Sequence, residues 1–405
     1  MTALYTSTME VLRSGWRELT QRPDSQQPAL DALRAAAVLL VICTHYALPE
    51  WPKAHGPEVG FSHWPTFYYG WTGVDLFFVL SGLLIGTQLW REIRRTGTVK
   101  IGRFVLKRGL RIWPLYFVVL GLLALTGYDV RWPDWTFLCN YKDTLYSRSW
   151  SLSTEEQFYI IAPFLLIGIA RFLPADRQAL PLVALCASIP LARFVERGRL
   201  LASGVPPATV HERMITPIHL HAEALIIGLL LAWIVVHRPR WIAREEHGRV
   251  SRTGLAVLVI GCGVGLALDF LNKEIFAFTA LGLIFGSVTF FVLRDSSWLT
   301  RPLQSFVFYP ISRLSYGMYL THFVVVSSST AWAIRHVPGP LPVVFLGGLV
   351  LGTAIAIIAA TITFLLVEHP FLLLRGKLLH GDRKHVASSV TTVGGQGGLE
   401  GVTMP

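Results

Sequence analysis

Charge is what this 405-residue sequence has little of: Asp, Glu, Lys and Arg make up 15% of it, against about a quarter in a soluble domain. A chain that is also 52% hydrophobic has too few charges to cover a water-facing surface, which excludes an ordinary soluble globular protein. Cysteine is scarce too, with four residues and no CxxC. Cys43, Cys186 and Cys262 sit in apolar runs, where a small hydrophobe is reason enough, and only Cys139 falls in a loop. A disulfide framework is therefore not expected. The first 29 residues lack an early apolar core ending in a small-residue cleavage site, so the first apolar run is expected to stay in the mature protein. A net charge of +11 raises the question of nucleic acid, yet the basic residues come in bursts between apolar runs and no nucleic-acid module is visible.

Those apolar runs are the main content of the sequence. A membrane span needs about 20 mostly apolar residues, and candidates lie near 30–48, 71–90, 112–127, 156–173, 179–195, 214–236, 254–270, 275–293, 309–331 and 343–367. The expected fold is therefore all-α and integral to the membrane, a bundle of about ten transmembrane helices. If the amino terminus is cytoplasmic, 24 of the 36 Lys and Arg fall in inside segments and 10 outside, with Arg34 and Arg313 near inner helix ends. That excess is what the positive-inside rule asks for, so both termini are expected in the cytoplasm and the protein in the cell's inner membrane. Residues 1–29 read as a cytoplasmic segment, 30–371 as the membrane domain, and 372–405, rich in Gly, Ser and Thr towards its end, as a disordered cytoplasmic tail.

Ionisable groups inside spans are costly in lipid and usually face a bundle interior or a water-filled cavity. Arg34 and His45 are eleven residues apart, which on a helix brings them within about 20° of one face and about 16 Å apart along the axis. One face of the first helix would then link the two membrane surfaces, with Arg34 near the inner and His45 in the outer half. Asp75, at the outer end of the second span, has a level close to that of His45 and suits a carboxylate that orients an imidazole, although the first turn of a helix also attracts a carboxylate by itself. Arg108 and Arg111, three apart, form one cationic ridge at the inner surface, with Pro114 placed as if in a helix's first turn. Before the fourth span, Ser153 and Glu156 have the spacing of a capping box. That leaves Glu155 free to join His45 and Asp75 as an acid/base group at one depth.

Further pocket candidates are Trp150, Tyr159, His221, Glu223, Tyr316 and His322. His322 lies about 20 Å along a helix that begins inside and is as readily a satisfied core histidine as a member of the cavity. His219 and His221, two apart, point about 200° away from each other on a helix and cannot share a metal ion. No metal site and no permanently bound cofactor is expected.

In order along the chain, Arg34 with His45, GVDLFFVLSG (73–82), KRGLRIWPLY (107–116), WSLSTEEQFY (150–159) and LSYGMYLTH (314–322) resemble the motifs of the membrane-bound acyltransferase 3 family. That family includes O-acetyltransferases of bacterial surface polysaccharides, and the likeness runs from about Leu30 to Phe371. The resemblance implies that Arg34 and His45 are essential and that acyl-coenzyme A is the co-substrate, its phosphates held by Arg108, Arg111 and Arg34. The span-six segment departs from the family pattern, with His221 where arginine is frequent and Glu223 where aspartate is usual. Some relatives carry a soluble hydrolase-like domain after the membrane part; here about thirty residues follow Phe371, so the acceptor is expected to be handled by the membrane domain or by another protein.

The function expected from this is an O-acyltransferase that moves an acyl, foremost acetyl, group from acyl-coenzyme A to a hydroxyl of a cell-surface glycan or glycolipid, with membrane lipid around it. His45 would act as base or as transient nucleophile. A transporter, or a subunit of a glycan or lipid export complex, would also have a polar-lined bundle, although the spans show no pairing of halves.

Overall fold

A computed structural model of the chain describes residues 2–23, 27–47, 69–142, 149–243 and 250–379. The part of the tail beyond residue 379, which the sequence marks as disordered, lies outside the described residues. Those described are helical, with no β-strand among them. The helices are α1 (Thr2–Thr20), α2 (Pro28–Ala47), α3 (Gly73–Thr96), α4 (Ile101–Leu125), α5 (Trp150–Phe172), α6 (Ala179–Ala202), α7 (Pro207–Ile215), α8 (Glu223–His237), α9 (Arg252–Leu271), α10 (Lys273–Arg294), α11 (Phe308–His336) and α12 (Leu341–Thr363). Beyond α12 the chain passes through a π-helical turn, Phe364–Glu368, and stays helical to residue 379.

Among the described residues, seven helices are long and apolar enough to cross a membrane: Pro28–Tyr46, Gly70–Thr96, Ile101–Leu125, Ala179–Ala202, Arg252–Leu271, Ile275–Arg294 and Pro342–Leu379. The remaining three expected spans are occupied by α5, α8 and α11. At 15 residues, α8 is about 22 Å long, short of a hydrocarbon core of about 30 Å. Its expected first part, 214–222, is instead the end of α7 and a 3-10 turn, Ile218–Leu220. Pro217, which disfavours α geometry in the residue before it, marks the break.

The centre of the bundle is where α3 meets α8. Gly82 and Gly228 face each other there, and a methyl group on either would run into the backbone of the other helix, at Leu225 O and Val79 O respectively. Small residues that let two backbones touch are the usual packing device in lipid, where apolar burial alone gives no drive to associate. Around this contact α4, α5, α6 and α10 pack a continuous apolar core that includes Phe78, Leu89, Trp90, Leu115, Leu166 and Leu229. A second core, with Val38, Ile42, Met318 and Phe345, joins α2, α11 and α12.

Two local expectations are corrected. Pro114 is not in the first turn of its helix but in the interior of α4, because helical structure extends back through the basic turns to Ile101. Arg108 and Arg111 therefore sit on a helix, and the carbonyl of Leu110 loses its i+4 donor at the proline. Nor do Ser153 and Glu156 form a capping box. The helix starts earlier, at Trp150 with Ser149 as its cap position, so both residues fall inside the helix and their buried side chains bond to neighbouring elements. Ser153 meets the Cys139 thiol at 2.8 Å and Glu156 accepts from Trp113 Nε1 at 2.9 Å.

Outside the bundle, Asp295 closes the α9–α10 pair. Fully buried, it accepts from Ser251 N at the start of α9 (2.8 Å), from Ser297 N (3.0 Å) and Oγ (2.6 Å) and from Thr300 Oγ1 (3.0 Å). Burial alone would raise its pKa, but these donors hold it below the ordinary value of 3.8. The stabilisation is thus complete at neutral pH and is lost as pH falls from that value through the lower folded one. Asp295→Ala should lower the thermal stability of the purified protein by about 1–3 kcal/mol at pH 7, read as a fall in Tm in detergent. An unchanged Tm would show that the loop does not tie the two helices together.

Candidate active site

A cavity of about 880 Å³ opens between α2, α3, α4, α5 and α11. Its wall carries seven cations, Arg34, Arg91, Arg95, Lys107, Arg108, Arg111 and Arg313, against three carboxylates, Asp31, Glu92 and Glu155, an excess of four positive charges. Sequence spacing explains the clustering. Arg91 and Arg95 are four apart on the last turns of α3, and Lys107, Arg108 and Arg111 share two turns of α4, so each helix presents one basic ridge.

Most carboxylates and some cations here are already engaged. Asp31 takes a hydrogen bond from Ser312 at 3.0 Å and pairs with Arg22 at 3.4 Å rather than with Arg34. Arg313 binds Glu18 of α1, and Arg108 donates to Gln88 at 3.2 Å while lying over the Tyr159 ring. Glu155 accepts from Ser81. Arg34 and Arg111, each half-buried on the cavity wall, neither donate a hydrogen bond nor close an ion pair among the described residues. Two guanidinium groups facing a hollow inside a low-dielectric bundle are a strong attraction for an anion.

Tyr319 and Ser151 line the cavity, and their hydroxyls hydrogen-bond to each other. Tyr316, also on the wall, donates to Ile112 O at 2.8 Å. The Tyr319 ring has the His322 ring at 5.5 Å, and His322 in turn meets His45 edge-on, ring centroids 4.7 Å apart. Nδ1 of His45 is 2.8 Å from Val41 O, and Nδ1 of His322 bonds to Tyr319 O. A carbonyl oxygen only accepts, so each ring carries its hydrogen on Nδ1 and presents Nε2 as the basic nitrogen.

The expected grouping of His45, Asp75 and Glu155 is distributed differently. Asp75 is fully buried and bonds to His221 Nε2 at 2.9 Å. Glu155 meets Ser81, six residues and about 9 Å further along α3 than Asp75, and so belongs to the cationic cavity. What lies beside His45 is His322. The sequence placed all three acid/base groups near one membrane level, but depth alone does not say which helix faces which.

His221, Glu223 and Trp150 do not line the cavity. The His221 ring lies between Phe278, at 3.6 Å, and Trp150, at 5.2 Å, with Nδ1 donating to Ile215 O at 2.7 Å. Glu223 forms a fully buried ion pair with Arg193, joined by the Thr279 hydroxyl at 2.7 Å. Residues not singled out in the sequence are Ser81, Ser151, Arg91, Arg95, Arg193 and Tyr319. Tyr319 had a signal, since it lies three residues from Tyr316 on the same helix face. Arg193 had another, an arginine near the end of an apolar run.

Known proteins bear on this arrangement. The Listeria monocytogenes protein named "Peptidoglycan O-acetyltransferase OatA" is 25% identical over 344 residues, covering 75% of this chain and 50% of its own. A Bacillus subtilis protein named "Putative peptidoglycan O-acetyltransferase YrhL" is 28% identical over 378 residues, 85% of this chain and 54% of its own. A Staphylococcus aureus protein named "Putative O-acetyltransferase" is 24% identical over 378 residues, 85% of this chain and 57% of its own. The chain thus spans about half the length of these relatives. No solved structure matches it. The family profile described as "Acyltransferase domain" matches residues 27–361, which include every wall of the cavity and both histidines, and the chain belongs to this acyltransferase 3 family.

Proposed function

We propose that the protein is a membrane O-acyltransferase of the inner (cytoplasmic) membrane. It takes an acyl group, foremost acetyl, from acyl-coenzyme A on the cytoplasmic side and places it on a hydroxyl of a cell-surface glycan or glycolipid. The observation that carries this reading is the cavity's excess of four cations, with Arg34 and Arg111 uncommitted. Coenzyme A has a diphosphate and a phosphate monoester, together about four negative charges near neutral pH, and guanidinium groups bind phosphate bidentately. Its thin arm would reach from these cations towards Tyr319 and Ser151, with His322 and then His45 beside Tyr319. The relatives named for peptidoglycan O-acetylation favour a glycan hydroxyl as acceptor.

In this reading ten helices span the membrane, with the segments before α2 and after α12 on the cytoplasmic side, where most of the basic residues fall. His45 carries the chemistry, as base or as transient nucleophile, while Asp75 and Glu155 hold the frame around it through His221 and Ser81. Arg34, Arg108 and Arg111 hold the donor.

The test is transfer of label. Purified protein in lipid nanodiscs, given acetyl-coenzyme A labelled in the acetyl group and a β-1,4-linked N-acetylglucosamine oligomer, should release free coenzyme A and yield a labelled ester. Label remaining wholly on coenzyme A in nanodiscs, with passage of the labelled donor across the wall of sealed proteoliposomes, would exclude the acyltransferase reading and favour transport.

A further inference from the structure

Resting on the acyl-coenzyme A reading above, we infer that catalysis uses two histidines with divided roles: His45 carries the acyl group, and His322 is the base that activates the acceptor hydroxyl.

The geometry gives each imidazole one basic nitrogen. With both Nδ1 atoms donating to carbonyls of their own helices, His45 and His322 offer only Nε2, and their ring centroids are 4.7 Å apart. Asp75 bonds to His221 and Glu155 accepts from Ser81. A single histidine cannot do both jobs in sequence. Once its Nε2 holds the acyl group, its Nδ1 faces Val41 O and no lone pair remains to take the acceptor's proton. The ring packed against it is that of His322.

The steps balance as follows. His45 Nε2 attacks the thioester carbonyl carbon, the carbon–sulfur bond breaks, and the electron pair leaves on the coenzyme A thiolate, which gives an N-acylimidazolium. The acceptor hydroxyl then attacks the same carbonyl carbon while His322 Nε2 takes its proton. The carbon–nitrogen bond breaks and its pair returns to His45 Nε2. The proton on His322 ends on the thiolate, through solvent, so one thioester and one alcohol become one ester and one thiol. Tyr319, hydrogen-bonded to Ser151 on the wall of the donor cavity and 5.5 Å from His322, connects the donor cavity to the two histidines. Parking the acyl group on His45 means that donor and acceptor need not be bound at the same time.

The experiment is a two-stage single turnover with the full chain in nanodiscs. Protein in excess over acetyl-coenzyme A labelled in the acetyl group is quenched before and after addition of the N-acetylglucosamine oligomer, and protein-bound label, ester and acetate are counted. Wild type should acquire hydroxylamine-labile label and then discharge it. His322→Gln should acquire label to within twofold of wild type but discharge it, to oligomer or water, at least 100-fold more slowly, with partial rescue by free imidazole in the buffer. His45→Gln should acquire none. Monodisperse elution and retained binding of a non-hydrolysable acetyl-coenzyme A analogue exclude misfolding as the cause. Discharge at the wild-type rate in His322→Gln, loss of labelling equal to that of His45→Gln, or wild-type transfer without any protein-bound label would each overturn the two-histidine proposal while leaving the acyltransferase reading in place. Wild type that neither labels nor transfers would overturn that reading and this proposal together.

Discussion

His45→Gln should still bind the donor yet lose transfer by about 10⁶-fold, the scale of losing an enzyme's nucleophile, while Arg111→Ala should keep the chemistry and bind the donor poorly. The helix fixes this division. Arg34, on the cavity wall, and His45, beyond Tyr319, are eleven residues apart on α2, about 16 Å along its axis, so the cations and the histidine cannot serve the same atoms of the donor. A phosphate contact is alike in ground and transition states, so its loss raises KM for acyl-coenzyme A with kcat largely spared. A histidine that moves a proton or an acyl group acts only on the way to the transition state, and its loss lowers kcat with KM spared. Lysine at 111 keeps the charge but not the planar fork, so partial rescue relative to alanine is expected, with a steeper dependence on salt. Arg108 already donates to Gln88, so Arg108→Ala should raise KM less than Arg111→Ala does. Titration with a non-hydrolysable analogue decides the matter. Unchanged affinity in Arg111→Ala, or affinity lost in His45→Gln alone, would remove the division.

Helix positions were legible in the sequence because lipid imposes one rule, a run of about 20 apolar residues, and every expected span is occupied by helix. Where the reading failed, the failure has a local cause. At 214–222 a hydropathy window runs across Pro217, where the chain breaks from α-helix into a 3-10 turn. At Ile101 the helix begins in basic residues, which no apolar count includes. The clustering of Arg34, Arg108 and Arg111 on the cavity wall was legible because each stands at a helical spacing from another charge or from His45. Pairings between helices were not. Hydropathy gives a depth for His45, Asp75, Glu155 and His221, but the rotation of each helix about its axis is set by packing such as the Gly82–Gly228 contact. That contact brings α8 against α3 and with it His221 to Asp75, which left His322 for His45.

His221 also accounts for its own departure from the family pattern. Its Nδ1 donates to Ile215 O and its Nε2 bonds to Asp75, so the pair shares one further proton, and the ring rests between Phe278 and Trp150 as a cation or aromatic group would. Arginine at that position offers the same two donations and the same planar stacking. Both ring nitrogens of His221 are thus engaged with neighbouring segments of the bundle.

The same packing leads to the largest stability effect expected in this protein, at Glu223. Arg193 and Glu223 form an ion pair with neither side chain exposed, and Arg193 also donates to Leu220 O at 3.2 Å and to Thr279 Oγ1 at 2.9 Å, with its guanidinium 5.2 Å from the Phe278 ring centroid. One cluster thus binds α6, α8 and α10. Glu223→Ala leaves the guanidinium without its counter-charge among apolar helices, a loss of about 3–5 kcal/mol for a broken buried pair. The folded yield and the Tm in detergent should both fall sharply. Arg193→Met together with Glu223→Met removes both charges and fills the space with flexible apolar side chains, so it should regain a large part of the stability lost in either single variant. Catalysis is a separate matter, since neither residue lines the cavity or touches a histidine of the reacting pair. Transfer per folded molecule should stay within a few-fold of wild type in the double variant. A double variant with wild-type Tm and abolished transfer would place this pair in the chemistry instead of in the frame that holds α8 against α3.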